Sequence, residues 1–331
     1  MSSPNITISD TPAVSSELLA QLESHLPYSL PVLRRLQFAL NFPGGSTPTT
    51  HILHTYYSQD DSNNSSGNSG HFAAAYVDLN RSPETEIWLY STLEDVSTTL
   101  DPSSPSVSLP ATEAEACDEL VLALLRRVRR ISGVREKKPA ETMVGSLNEA
   151  LRRRLADRGV GMRKTANVPD GLPWEFCGKW LFRVQELPLG MHGEEIPLPV
   201  GMRWDRVARG DLGLVRSRTY IQRQEATMLL LPSTVVRLDD GTPVAWAFGG
   251  LDGTLMTLHV EEPFRRRGLA RAVACKLMRD HVKDYGNDGW GLADVFVQNH
   301  RSQGVCKSIG GKLSWCSTWA ILDLSTVGDA L

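Results

Sequence analysis

The sequence predicts an α/β protein with mixed sheets, organised as two α+β domains over residues 1–170 and 171–331. Three observations support this class. A chain of 331 residues suits two domains of ordinary size. Short strand-like stretches precede long helical patterns in both halves. A run containing Pro, Asp and Gly at residues 169–173 separates the two sets of patterns.

The N-terminal half predicts three strands followed by helices. The first helix has apolar residues at helical spacing and a capping box formed by Thr112 and Glu115. We expect mobile surface loops at residues 59–70 and 101–110, because Ser, Asn, Gly and Pro bury too little apolar area to offset chain entropy. The strands are predicted at residues 51–57, 71–79 and 86–91, and the helices at 112–132 and 140–158.

The C-terminal half predicts an antiparallel meander that leads into a strand, a basic turn and a helix. Turns with the sequences DDG and LDG separate strands of hairpin length. Because the order β-β-β-α occurs in both halves, the N-terminal half is interpreted as a degenerate copy of the C-terminal one, with chance convergence as the alternative. Predicted strands cover residues 179–187, 202–207, 233–238, 243–248, 254–260, 292–297 and 313–324, and helices cover 212–218, 222–230 and 269–285.

The basic turn before the last of these helices predicts an anion site. Backbone N–H groups at a helix N-terminus lack intrahelical partners, and the helix dipole adds positive charge there. Gly268 and the small Ala270 allow phosphates to approach the backbone, and arginines add charge-assisted contacts. The residues expected to bind a pyrophosphate are Arg265, Arg266, Arg267, Gly268, Leu269 and Ala270.

This turn resembles the acyl-CoA motif of the GNAT superfamily, in which R-x-x-G-x-A follows V-x-x-x-F; here Val260 and Phe264 precede the turn. Residues 232–234, 240–246 and 254–270 are similar to the glycine N-acyltransferase-like branch, as is the early stretch 22–30, and the chain also resembles GNAT-like proteins of filamentous fungi. The resemblance implies that the flanking strands splay apart. It also implies that Leu258, His259 and Val260 offer a backbone edge to the pantetheine arm.

Residues 299–311 resemble the second GNAT motif, N-x-x-A/S-x-x-L-Y-x-K-L-G-F. Asn299, Ser302 and Gly310 match it, and the resemblance places Asn299 and Ser302 at the CoA site. Cys306 stands where the family commonly has the tyrosine that protonates the leaving thiolate. A thiol can donate a proton there, because its reference pKa of about 8.5 is close to that of a CoA thiol. The alternative is a small buried thiol that fills space.

The resemblance places a general-base glutamate at position 254, where this chain has Thr254. Threonine cannot accept a proton at neutral pH. Asp252, two residues earlier, could act through a water, with a turn role as its alternative. Strict alternation points the His259 side chain to the face opposite residues 254 and 256, so no residue is assigned as the base.

These motifs predict an N-acyltransferase that uses acetyl-CoA or another acyl-CoA and acts on a small-molecule primary amine. The alternatives are a protein or histone acetyltransferase and a catalytically idle CoA-binding or interaction module. Direct attack of an amine on a thioester gains much of its acceleration from proximity, so a perfect base is not obligatory. The acceptor, the acyl length, the oligomeric state and the role of the N-terminal domain are left open.

Composition argues against several other classes. The net charge of −3 gives no overall attraction to nucleic acid or to an anionic membrane, and the clustered arginines at 126–130 and 152–154 lack interleaved aromatic residues. No apolar run approaches the roughly 18 residues of a membrane span. Five scattered cysteines and eight dispersed histidines suggest neither disulfides nor a metal site. We expect a soluble cytoplasmic protein, with a nuclear location left open.

Overall fold

The structure, a computed structural model, describes residues 5–58, 70–101, 106–133, 141–165, 176–190, 196–221 and 223–328. Nearly all of the loop predicted at 59–70, residues 102–105 of the loop predicted at 101–110 and the boundary predicted at 169–173 lie outside these ranges. Within the described ranges, no helix combines the length and the apolar character that a membrane span requires.

Fifteen strands and eight α-helices are numbered along the described chain. The strands are β1 (Ile6–Thr11), β2 (His51–Tyr57), β3 (Phe72–Val77), β4 (Ile87–Ser91), β5 (Ser97–Thr98), β6 (Ser106–Val107), β7 (Glu141–Asn148), β8 (Gly161–Lys164), β9 (Phe176–Arg183), β10 (Met202–Asp205), β11 (Ser233–Leu238), β12 (Pro243–Gly249), β13 (Leu255–Val260), β14 (Trp290–Phe296) and β15 (Lys312–Asp323). The helices are α1 (Ser16–Glu23), α2 (Leu30–Asn41), α3 (Ala111–Gly133), α4 (Glu149–Asp157), α5 (Leu212–Ser217), α6 (Glu225–Leu230), α7 (Leu269–Tyr285) and α8 (His300–Ser308).

By internal packing the chain divides into two compact units. The first comprises Met1–Leu36, Ser46–Phe176 and Trp315–Leu331, and the second comprises Gln37–Gly45 and Cys177–Ser314. The sequence places its domain boundary at residues 170 and 171, close to the main division. The packing also assigns the short segment Gln37–Gly45 to the second unit and the last residues of the chain to the first.

The first unit is built on a mixed sheet. Its strands β1 to β4 form an antiparallel meander, β7 joins β4 in parallel, and β15 continues the sheet antiparallel to β7 and β8. One face of this sheet is covered by α3, whose Leu120, Leu124 and Val128 pack with strand residues such as Ala75 and Val144. The predicted strands at 51–57, 71–79 and 86–91 and the helix at 112–132 are confirmed.

The helix predicted over residues 140–158 is wrong in its first half, because Glu141–Asn148 is the strand β7. A nearly continuous buried run can be a central strand or a buried helix, and periodicity does not separate the two. Here the run lies between two sheet neighbours, with Ile87 opposite Val144 on one side and Ala320 opposite Val144 on the other. Asn148 then starts α4, where its side chain accepts the Ala150 N–H at 2.9 Å.

The arginines at the start and end of the 152–154 cluster, with Arg158 after it, are held in ion pairs. Asp118 accepts hydrogen bonds from Arg154 and Arg158, at distances of 2.6 and 3.0 Å. The buried Glu149 accepts from Arg152 at 2.6 Å. These arginines stabilise the packing of α3 and α4 and neutralise carboxylates there, so they do not form a free basic surface.

The second unit contains the predicted antiparallel meander, β10 to β13, with β13 at its edge. The helix α7 follows, with the bounds that the sequence predicts, and packs on one face of this meander. Its residues Val273 and Leu277 lie in a buried cluster with Ala245, Ala247 and Leu255. The remaining strands, β9 and β14, form an antiparallel pair.

The strands on either side of α7 meet at one point and then separate. Thr254, just before β13, forms a parallel bridge with Leu292 of β14. Beyond that bridge the two strands belong to different sheet paths. Along most of its length, β13 therefore keeps its outer backbone edge open, as the predicted splay requires.

Candidate active site

The N-terminus of α7 is an uncapped helix end. Its N-cap residue, Gly268, has left-handed backbone angles (φ +78°) and provides no side-chain hydrogen bond. The first backbone bond of the helix joins the Ala272 N–H to the Gly268 carbonyl at 3.0 Å. The preceding N–H groups of the helix have no intrahelical acceptor, so this end can bind an anion.

Space beside Gly268 is open. A Cβ atom built on this residue has no heavy atom within 4 Å, and the left-handed φ favours glycine there. Arg266 is also left-handed (φ +63°), which makes the turn sharp. A phosphate could therefore approach the backbone at Gly268 without meeting a side chain.

A cavity of about 1010 Å³ lies over this helix end. Its volume is at the upper end of the roughly 300–1,000 Å³ of pockets that bind small molecules, so an extended ligand fits. Its walls come from the strand edge, the basic turn, the first turn of α7, and α8 with the residue before it. The lining residues are Leu258, His259, Val260, Glu262, Phe264, Arg265, Arg266, Gly268, Leu269, Ala270, Arg271, Asn299, Arg301, Ser302, Val305 and Ser308.

Ten of the eleven residues expected to bind the cofactor line this cavity, and Arg267 does not. The guanidinium of Arg267 lies 5.6 Å from the centre of the Phe264 ring instead. The Asn299 side chain is the N-cap of α8, because its Oδ1 accepts the Ser302 N–H at 3.1 Å. Asn299 and Ser302 therefore fix the start of a helix that forms one wall. Arg271 and Arg301 add cationic side chains that sequence reasoning did not select.

The open edge of β13 is part of the same cavity. Glu261 N–H bonds to the Val244 carbonyl at 2.9 Å, on the side of β12. Because successive residues of a strand alternate, the N–H and carbonyl of Val260 point to the opposite, open side. The Arg265 Nε accordingly donates to the Val260 carbonyl at 3.0 Å from that side. The Val260 N–H remains directed at the edge where an extended ligand can pair.

A β-bulge interrupts β13 and changes which side chains share a face. Phe248 lies opposite Met256 and Trp246 lies opposite His259, so three steps on β13 match two on β12. Thr257 is the left-handed residue of this stretch (φ +54°). The expectation that His259 points away from Met256 is therefore wrong, because the extra residue restores His259 to the face that carries Met256.

Position 254 and its neighbours form a buried polar cluster. The Thr254 hydroxyl donates a long hydrogen bond of 3.5 Å to Asp294 Oδ2, and the same oxygen accepts from Lys179 Nζ at 2.6 Å. Asp252 Oδ1 accepts the Thr254 N–H at 3.2 Å within a tight turn. This geometry suits the turn role of Asp252. Neither Thr254 nor Asp252 lines the cavity.

Comparisons with known proteins identify the family. The family model described as "Acyl-CoA N-acyltransferase verG N-terminal domain" matches residues 5–175, more than half of the chain. The chain belongs to this family. A second family model, FR47-like protein, matches residues 235–320, which include the meander strands β12 and β13, α7 and the second motif. No curated protein is similar enough to this chain to count as a match.

Membership confirms the predicted GNAT class and the predicted α/β fold, with two GNAT-like halves in tandem, and makes this chain an N-acyltransferase. A solved structure from Drosophila malonogaster is 14% identical, with a TM-score of 0.59, and the match covers 97% of this chain and 99% of that one. It therefore shares the fold over nearly the whole length.

Two further solved structures match with lower scores. A tandem GNAT protein from the clavulanic acid biosynthesis pathway has 9% identity and a TM-score of 0.47, with 99% and 100% of the two chains covered. A GCN5-related N-acetyltransferase from Sphaerobacter thermophilus has 12% identity and a TM-score of 0.47, with 96% of each chain covered.

For an N-acyltransferase, the position of Cys306 matters because a thiolate leaves in the reaction. Cys306 lies on α8 in the buried cluster of the second unit, with Ile309 and Val295, and does not line the cavity. Burial raises the pKa of its thiol to about 12. This environment suits the space-filling alternative better than proton donation.

Nothing in the described part of the chain brings three His, Cys, Asp or Glu side chains together in a way that could hold a metal ion. The cavity itself is lined by backbone N–H groups, arginines, the carboxylate of Glu262 and the imidazole of His259. These groups can bind phosphates, polarise a carbonyl and accept a proton.

Proposed function

We propose that this protein transfers the acyl group of an acyl-CoA, acetyl-CoA in the first instance, to the primary amine of a small molecule. The observation that carries the proposal is that one cavity contains both an uncapped helix N-terminus and an open strand edge. A pyrophosphate needs the first feature, and the amide-bearing pantetheine arm needs the second.

The reaction we propose is direct attack of the amine nitrogen on the thioester carbon. The N–C bond forms as the C–S bond breaks, and the products are an amide and the CoA thiol. The Val260 N–H and its neighbours would hold the arm and orient the thioester, while Gly268, Leu269 and Ala270 would hold the phosphates. Fixing both ends of the donor supplies the proximity on which this chemistry depends.

The small-molecule acceptor is the finer part of the proposal, and an acceptor panel tests it. The protein would be incubated with acetyl-CoA and a set of small primary amines, and the acylated products identified by mass spectrometry against protein-free reactions. We expect at least one small amine to be acylated at a rate well above the background. Preferential acylation of a basic peptide would overturn the acceptor class, and CoA binding without any product would favour the idle-module alternative.

The same assay compares donors. Acetyl-CoA and longer acyl-CoAs would compete for one accepted amine, and the ratio of products gives the relative kcat/KM. We expect the acetyl product to dominate. If a longer acyl product dominates, the protein is still an acyltransferase, but its preferred donor is a longer acyl-CoA.

A further inference from the structure

The imidazole of His259 has an unusual environment for a residue of a sheet edge. Its ring stacks on the indole of Trp246, with centroids 4.8 Å apart and an angle of 23° between the planes. Its Nε2 atom is buried and has no hydrogen-bond partner among the residues that the structure describes. A buried nitrogen without a partner loses the hydrogen bonds that water would give it, so it needs an explanation.

The neighbouring charged groups do not hydrogen-bond to that nitrogen. Glu261 Oε1 lies 3.8 Å from His259 Nε2, which is beyond hydrogen-bond distance. The same Glu261 oxygen accepts a hydrogen bond from Arg218 Nε at 2.8 Å. The carboxylate is thus held by an arginine, and it does not fix the imidazole.

The β-bulge in β13 determines which face of the sheet carries this imidazole. Without the extra residue in β13, strict alternation would turn His259 onto the face that packs against α7. With it, His259 shares the face of Met256, and Val260, next along the strand, has its N–H at the open edge. Bulges of this kind re-aim side chains beside active sites. His259 also lines the cavity that we assign to the acyl donor.

The protonation state of His259 suits a proton acceptor. Burial is the main cause that lowers the pKa of the imidazole below its ordinary value. Arg265 and Arg218 lower this pKa further, and Glu261 opposes them. The ring is therefore neutral at pH 7, with a lone pair on one nitrogen.

We propose that His259 is the general base of the acyl transfer and takes over the task for which Thr254 is unsuited. This inference rests on the proposed function. As the amine nitrogen bonds to the thioester carbon, its proton moves to the imidazole, directly or through one water, and the electron pair of the C–S bond leaves with the sulfur. The imidazolium then returns the proton to the thiolate or to solvent, so the products are the amide and the CoA thiol.

The test replaces His259 by Gln, which keeps a polar group near the Nε2 position but cannot accept a proton near neutral pH. The matched control is His281→Gln, because His281 lies on α7 in an exposed pair with Asp284 and does not line the cavity. Acetyl-CoA affinity and thermal unfolding would be measured for both variants, to separate catalysis from binding and folding.

For wild type and His281→Gln we expect kcat/KM, expressed per concentration of free-base amine, to rise with pH through an inflection below 6.5 and to level off at neutral pH. His259→Gln should lose that inflection, with kcat reduced by about a hundredfold or more. Its remaining rate should follow the free-base fraction of the acceptor amine. Added imidazole should partly restore the rate of His259→Ala.

NMR of isotope-labelled imidazoles gives a readout that is independent of turnover. The His259 signals should titrate below pH 6.5 and shift when acetyl-CoA is added, while those of His281 should not shift. An active wild type whose profile and rate are unchanged by His259→Gln would overturn this role alone. A wild type that acylates no amine would instead remove the proposed function and this role with it.

Discussion

The thiol of Cys306 lies in the apolar core of the second unit, where burial raises its pKa to about 12. Such a thiol stays protonated at neutral pH. Proton transfer from this thiol to a departing thiolate would be strongly unfavourable, because the thiol formed from that thiolate is more acidic, with an ordinary pKa near 8.5. The resemblance assigned Cys306 to the tyrosine position of the second motif, but the sequence could not show whether the side chain faces the cavity or the core.

Burial of Cys306 predicts a stability effect at alkaline pH. In the unfolded chain the thiol ionises near pH 9, and in the folded protein it stays protonated until about pH 12. Its contribution to stability is therefore complete below pH 9 and is lost as pH rises from 9 towards 12. The free energy of unfolding should fall in this window by up to about 1.4 kcal/mol per pH unit from this group.

Urea unfolding of wild type and Cys306→Ala at pH 8, 9 and 10 measures this effect. The variant should be less stable at pH 8, because a small cavity forms, but its stability should decline less with pH. Parallel declines in the two proteins would show that the thiol ionises in the folded state as readily as in the unfolded chain.

Among the elements, the helix α7 and the strand β13 show what sequence patterns can predict and what they cannot. Apolar periodicity and the glycines on either side, Gly268 and Gly286, predict Leu269–Tyr285 at both ends, because local chemistry determines a helix. The bulge at Thr257 is not predicted, because it arises from pairing with β12 and leaves no local signal. That single extra residue reverses the predicted face of His259.

The wrong assignment at Glu141–Asn148 has a related cause. The strand is mostly buried and has a sheet neighbour along each edge, and the spacing of its apolar residues also fits a helix. The buried pair of Lys179 and Asp294 was also missed, although Asp294 contacts Thr254. Two residues separated by 115 positions give no sign in sequence that they will lie opposite each other.

This pair should stabilise the pairing of β9 with β14. Lys179 Nζ and Asp294 Oδ2 are 2.6 Å apart, and both side chains are almost fully buried. Lys179→Met removes the ammonium that faces the buried carboxylate, which costs about 3–5 kcal/mol of unfolding free energy. The double variant Lys179→Met, Asp294→Leu should recover most of that loss, because no buried charge remains.

Chemical unfolding of the two variants checks this expectation. The matched control is Arg163→Met, which breaks the exposed ion pair with Glu141 and should cost no more than about 1 kcal/mol. If Lys179→Met costs as little as Arg163→Met, the pair does not hold the two strands together.

At the scale of the whole molecule, the protein has a net charge of −3, but its proposed donor site is locally positive. Arg265, Arg266, Arg271 and Arg301 line the cavity together with the positive end of α7. This arrangement allows an acidic protein to bind a polyanionic donor. Ten of the eleven residues that the sequence assigns to the donor line this one cavity, because the motif is short and contiguous. It did not predict the acceptor side, which depends on residues brought together by folding.

The most direct test is to measure, by titration calorimetry, the affinity of the Gly268→Asp variant for acetyl-CoA. The new carboxylate would occupy the space where phosphates must approach, and like charges at that distance should weaken binding by on the order of a hundredfold or more. The control is Gly159→Asp in the first unit, since Gly159 has the same left-handed backbone (φ +83°) and equally open surroundings. Wild type and Gly159→Asp should bind acetyl-CoA with equal affinity, and Gly268→Asp should fold as stably as Gly159→Asp but show no measurable binding. Unchanged affinity in Gly268→Asp would contradict the claim that the N-terminus of α7 is the pyrophosphate site.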